Sequence, residues 1–325
     1  PVELRKVQET GGGTHLISVP KDWAKRSGLG KGSLVAMSVS DDGCLIVDPR
    51  YNLTRDVETV TIRPSPYLER EITGRYLLGY DIIQVEAERR ILASDRDRVK
   101  QAVQRLIGLE IIEEDSSKIV LQCLLEPSNF PPEKILRRED LIASGMFKDV
   151  IVALHEGDQH LARNVVERDD EVDRLYFLLV RLLRTTILNP RLTEKLGISL
   201  IDCLDYRLVA SLVESVADCS VDIAGSVLKI PDVQIPPEFT GPLGDLGVAV
   251  HDIHEKAMRA FFSKDLGLAE ETKALRSQAI YSSHQLNSTL VDHVSNLTTR
   301  VSEILSSFGR VCDYSVDISD LVMAK

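Results

Sequence analysis

Hydrophobic and polar positions follow three different rhythms along this chain. In residues 1–50 the runs are short. LRKVQET and THLISVP flank three glycines at 11–13, and LVAMSVS and CLIVDP flank Asp41-Asp42-Gly43, which predicts two antiparallel hairpins. Between them Pro20 opens a brief helix, PKDWAKRSG, that Gly28 and Gly30 end. Residues 55–127 alternate. VETVTIR and IIQVEA read as strands, YLEREITGRYLLGYD and DRDRVKQAVQRLIG as helices, and LEIIEED with KIVLQCLL as a hairpin. The order β-α-β-α-β-β predicts a small α/β sandwich. SNFPPEK then reads as a linker. From about Arg138 to Lys325 only helical periodicity remains, broken at Gly157, at Asn189–Pro190 and in IPDVQIPPEF at 230–239.

The helical part repeats itself. VADCSVDIAG at 216–225 recurs as VCDYSVDISD at 311–320, a shift of 95, and ALHEGDQHLA at 153–162 recurs more loosely as AFFSKDLGLA at 260–269, a shift of 107. The difference falls between the second and third helix of each copy. The first copy has the loop ILNPRLTEKLGI there, and the second a tight turn near Ser295 and Asn296. Each copy is therefore three helices, near 139–156, 158–187 and 198–229, then near 241–263, 265–293 and 296–323. The expected domains are 1–50, 55–127, 138–230 and 238–325.

At about 100° per residue, Asp169 and Asp173 share a face with Ala162, Val165, Val166, Val172, Tyr176, Val180 and Leu183. Glu214 and Asp218 share one with Ala210, Ala217, Val221 and Leu228. Four carboxylates on apolar faces need compensation, because a desolvated charge is costly. A metal ion, arginine partners such as Arg163, Arg174, Arg181 or Arg207, and raised pKa values all answer that need. Paired carboxylates on facing helices are how bundles hold iron or manganese. In the second copy the matching positions are Arg276, Ile280, Gly309 and Asp313, so a cluster of this type is confined to the first. His155, His160, His251 and His254 form no HExxH pattern and read as surface or inter-helix residues.

Composition narrows the classes. The hydrophobic fraction of 43% and charged fraction of 27% suit a globular chain of two or three domains. No apolar run approaches a membrane span, no signal-peptide pattern opens the sequence, and five scattered cysteines lack CxxC spacing, so a reducing cytoplasmic setting is expected. Net charge is −11, but residues 1–35 hold six bases and three acids, so the remainder carries −14. A basic head on an acidic body suggests different partners at the two ends. There is no P-loop, no GxGxxG opening a helix and no GxSxG elbow.

In VVERDDEVDRLYFLLVRLLR, DYRLVASLVESVADCSVDIAG and the repeated SVDI, residues 138–325 resemble the PhoU family. That resemblance implies tandem three-helix bundles with D/ExxxD motifs that bind iron or another divalent metal. It also implies a non-enzymatic negative regulator of phosphate uptake that contacts a phosphate transporter or its sensor kinase. In Thr10, Gly11 to Gly13 and ISVPKDWAKRSGLGKGSLV the head resembles the SpoVT/AbrB swapped-hairpin family, as found fused to PhoU-like helices in archaeal proteins. This implies an all-β barrel made by two interlaced chains, a homodimer that contacts DNA. The middle segment carries no recognised family.

The fold expected is thus multidomain: a swapped-hairpin head, a small α/β segment and two all-α bundles. The first expected function is a dimeric transcription regulator of phosphate uptake whose helical bundles sense metal, phosphate status or a partner protein. Its DNA contacts would come from Arg5, Lys6, Lys21, Lys25, Arg26 and Lys31, and its metal ligands would be Asp169, Asp173, Glu214 and Asp218. An adaptor whose head only dimerises, and a carboxylate-bridged metal enzyme or store, remain as alternatives.

Overall fold

The computed structural model describes residues 2–39, 43–49, 57–229, 236–289 and 295–323. The chain forms two compact units, Pro1–Val57 and Glu58–Lys325.

In the first unit β1 (Gln8–Glu9) pairs antiparallel with β2 (His15–Leu16). The turn between them closes with Thr10 N–H donating to the Thr14 carbonyl, and Gly13 sits at φ +80°, where a side chain would be strained. Helix α1 (Lys21–Arg26) starts after Pro20, whose carbonyl accepts from Ala24 N–H, and stops before the left-handed Gly28. Strands β3 (Ala36–Val39) and β4 (Leu45–Asp48) form the second hairpin in register Val39↔Leu45. Asp41 and Asp42 of its expected turn lie outside the described residues. No described residue of this unit is buried, and Leu4, Val7, Leu16, Met37 and Val39 are exposed. The described residues of this unit thus form the hairpins without a buried core.

The second unit opens with β5 (Thr59–Ile62), α2 (Leu68–Leu77), β6 (Ile82–Glu86), α3 (Ala93–Arg105), β7 (Leu109–Glu114) and β8 (Lys118–Cys123). The sheet order is β5-β6-β8-β7. Only β5–β6 is parallel, as expected for a strand pair joined through a helix. Leu68, Ile72 and Tyr76 of α2 and Val99 of α3 are buried with Ile83, Val85 and Leu121 of the sheet.

Two helical bundles follow: α4 (Pro132–Glu156), α5 (Gln159–Leu188), the short α6 (Pro190–Leu196) and α7 (Leu200–Leu228), then α8 (Pro237–Ser263), α9 (Leu266–Ser288) and α10 (Ser295–Asp320). Three expectations change here. SNFPPEK is not a spacer: a 3-10 turn at Pro127–Asn129 leads into Pro132, which opens α4, and Pro127 and Pro132 are both buried. ILNPRLTEKLGI is not all loop, since α6 lies within it. Ser295 and Asn296 are helical, and the chain between α9 and α10 lies outside the described residues.

The two copies share their helix junctions. Gly157 ends α4 in the left-handed conformation and Asp158 caps α5 through His160 N–H and Leu161 N–H. Lys264 and Asp265 do the same between α8 and α9, with φ +55° at Lys264. The bundles meet through α4 against α8 and α7 against α10, in one continuous core. Gly247 permits that approach: a Cβ there would stand 2.9 Å from Ile151 Cγ1.

The α/β segment is tied to the first bundle by Arg181 of α5. The residue is 3% exposed, and its guanidinium donates to the carbonyls of Tyr76 (2.6 Å) and Gly79 (3.3 Å) and lies over the Tyr76 ring. No helix among the described residues is long and apolar enough to cross a membrane.

Candidate cation site of the first bundle

Helices α5 and α7 bring Asp169, Asp173, Glu214 and Asp218 to one seam. The apolar stripe that carries the α5 pair is real: Ala162, Val165, Val172, Val180 and Leu183 are buried. The acids stand at its rim rather than inside it. Asp169, Asp173 and Glu214 are half-buried, and Asp218 is exposed, contrary to the expectation that all four turn toward the core. The i, i+4 spacing fixes each pair on one face, while the pairing of α5 with α7 sets the pairs opposite one another.

The seam is electrostatically frustrated. Partial burial, then repulsion from Asp173 and Asp218, pushes Asp169 up to about 6, against the pull of Arg105. Burial, then Asp218, Asp173 and Asp169, pushes Glu214 up to about 7, with Arg207 opposing. Although the residue as a whole is exposed, partial desolvation of its carboxyl by the helix seam, then Asp173 and Asp222, raises Asp218. The acids are therefore mutual neighbours, and two of the arginines expected to neutralise them, Arg181 and Arg207, are engaged elsewhere. Among the described residues none of Arg163, Arg174, Arg181 or Arg207 forms an ion pair with the four. Arg181 serves the α/β segment and Arg207 lies over the Tyr176 ring at 4.9 Å. Among the described residues the one ion pair to these acids comes from α3, where Arg105 Nη2 donates to Asp173 Oδ2 at 2.9 Å.

A further acid joins the seam from α4. Glu139 is fully buried, and both its carboxylate oxygens lack any hydrogen-bond partner. Burial, then Glu214 and Asp140, drives its pKa well above the ordinary carboxylate range. Sequence reasoning missed it by starting the helix at that residue. Its position on the stripe Leu136, Glu139, Ala143, Met146, Val150 was the available clue.

This donor set fits a hard divalent cation. It is all oxygen, it carries surplus negative charge, and it includes a buried carboxylate with unmet bonding capacity. Asp169 with Asp173, and Glu214 with Asp218, would hold such an ion. As the side chains stand, no three of these acids bring ligand oxygens within 4.8 Å of one another, so the cage is open. One group of three among the described residues does meet that distance: His251, Asp252 and Glu255 on α8. His251 there pairs through Nε2 with Ser144 Oγ at 2.9 Å, and buried His254 pairs through Nε2 with Asp140 at 2.8 Å. Both are inter-helix residues joining α8 to α4.

In the first unit all six candidate DNA-contacting bases are exposed. Arg5 is ion-paired with Glu3. Lys21, Lys25 and Arg26 lie on α1, with Lys21 and Lys25 on one face, and Lys6 and Lys31 flank the two hairpins.

A family model described as PhoU domain matches residues 136–227, the segment that carries Glu139 and the four acids and stops short of the second copy. No curated protein matches the chain. Among solved structures, PhoU from Pseudomonas aeruginosa is similar at 17% identity and a TM-score of 0.50, over 59% of this chain and 93% of that one. The phosphate transport system regulatory protein PhoU from Streptococcus pneumoniae is similar at 17% identity and a TM-score of 0.50, over 58% of this chain and 89% of that one. At that identity the shared property is the fold.

Proposed function

We propose that this chain is a PhoU-type regulator of phosphate transport that works by binding rather than catalysis. In this reading its first bundle takes up iron or another divalent cation through Asp169, Asp173, Glu214 and Asp218. Its N-terminal unit dimerises and contacts DNA through Arg5, Lys6, Lys21, Lys25, Arg26 and Lys31. The carrying observation is the coincidence of the PhoU-domain match at 136–227 with the frustrated acidic seam between α5 and α7. Dimerisation is supported by a first unit that buries none of its described residues yet exposes Leu16, Met37 and Val39. Six exposed bases on so small a unit support the DNA contact.

Elemental analysis of the purified chain against Asp169→Ala/Glu214→Ala tests the cation. Lower metal content in the variant is expected, and equal content removes the site. Titrating DNA binding against chloride tests the head. Affinity should fall as salt rises, and no affinity at any salt discards the DNA role.

A second reading, an adaptor docking on a phosphate transporter or sensor kinase, is favoured by the second bundle. There the groove between α8 and α9, about 950 Å³, is lined by Leu246, Ile253 and Leu275 beside Asp252, Lys256 and Arg259. Reversing Lys21 and Arg26 to Glu separates the readings. It abolishes DNA binding in the first and leaves phosphate-dependent behaviour intact in the second.

A further inference from the structure

We propose that Glu139 is a fifth ligand of the cation site, reached from α4, so that all three long helices of the first bundle supply oxygen donors. The inference rests on the cation reading above and extends it to a helix that neither acidic pair occupies.

Buried side-chain atoms without a partner are rare in folded proteins, because each forfeits its bonds to water. Among the described residues four such atoms occur: Glu139 Oε1 and Oε2, Thr185 Oγ1 and His254 Nδ1. Only Glu139 is an acid, and it leaves both oxygens unmet. Its surroundings do not explain it. Glu214 and Asp140 face it with like charge, and Asp140 is already taken by His254 at 2.8 Å. Among the described residues Arg207 is the positive group that acts on it, and its guanidinium is stacked on Tyr176. A proton would remove the charge but would leave an O–H and a carbonyl oxygen still without partners. A cation shared with Glu214, its principal acidic neighbour, satisfies the charge and the lone pairs together.

The test is titration of the full chain with Mn²⁺, followed calorimetrically and by the metal-induced rise in Tm, for wild type, Glu139→Gln and Glu139→Asp. Glutamine preserves shape without charge, and aspartate preserves charge with shorter reach. Ligation predicts that both lose Mn²⁺ affinity by about tenfold or more. It also predicts that metal-free Glu139→Gln melts at or above the wild-type temperature. Wild-type affinity in Glu139→Gln overturns the inference and assigns a proton to Glu139, leaving the α5–α7 site intact. Retained affinity in Glu139→Asp alone also overturns it, since charge rather than contact would then suffice. If wild type takes up no Mn²⁺, the cation reading fails and the inference with it.

Discussion

Arg276 donates from Nε and Nη2 to the same oxygen, Oδ1, of Asp313, at 2.8 and 2.6 Å. By the internal repeat these residues stand where Asp169 and Asp218 stand in the first bundle. The two copies thus answer the same helix-helix seam in opposite ways. The second places a cation of its own between α9 and α10, while the first sets acid against acid. The Arg276–Asp313 pair is largely exposed, so Arg276→Ala should cost no more than about 1 kcal/mol. Arg276→Asp rebuilds the repulsion of the first copy. Its unfolding midpoint in urea should fall further at pH 8, and the deficit should shrink as pH is lowered.

The first bundle should itself prefer mild acid. Asp169 and Glu214 are raised from 3.8 and 4.5 to about 6 and about 7 in the folded chain. Between the two ranges the folded form holds more protons than the unfolded one, so stability falls as pH rises. The contribution of these acids is fully present below about pH 4 and is lost through pH 6 to 7. Denaturant unfolding from pH 4.5 to 8 checks this. Asp169→Asn/Glu214→Gln should flatten the profile, and a profile unchanged by that variant rules the account out.

Arg105 occupies Asp173 as a resident positive charge. Its guanidinium is more than half exposed, so the bond itself adds little stability. Removing it matters more for ion binding. Arg105→Ala frees Asp173 and lowers the positive potential at the seam, and Mn²⁺ affinity should rise by about three- to tenfold. Calorimetric titration reads the change, and unchanged or weaker binding contradicts it.

Arg181 is the opposite case. It is buried and gives charged hydrogen bonds to backbone carbonyls of the α/β segment. Arg181→Met should cost about 2–4 kcal/mol. It should also broaden or split the denaturant transition as the α/β segment parts from the bundle. A single transition at the wild-type midpoint would show the anchor to be dispensable.

Lys264 adopts φ +55° at the position where the first copy has Gly157. A non-glycine residue there costs about 1 kcal/mol, against which Lys264 gains a contact over the Phe261 ring. The lost contact offsets part of that gain, so Lys264→Gly should raise Tm by less than about 2 °C in a thermal melt.

The helical rhythm, the repeat and the loss of acids from the second copy were all legible in the chain, because each depends on spacing along one helix. What failed depended on neighbours. A helical face gives a direction but not a distance to the rim, so Asp218 emerged exposed. Arg105 lies 68 residues before Asp173, and no periodicity links the two. Glu139 was hidden for a different reason: prolines at 131 and 132 read as a linker, although proline is well suited to a first helical turn.

Helix α5 runs thirty residues without a glycine or proline, about 45 Å of unbroken rod. Near its middle it holds Asp169 and Asp173. Two turns on, Phe177 and Arg181 seat it against the α/β segment. Such a rod has no joint between those stations. The acids and the anchor of the sheet-bearing segment therefore share one uninterrupted element, with no turn or linker between them.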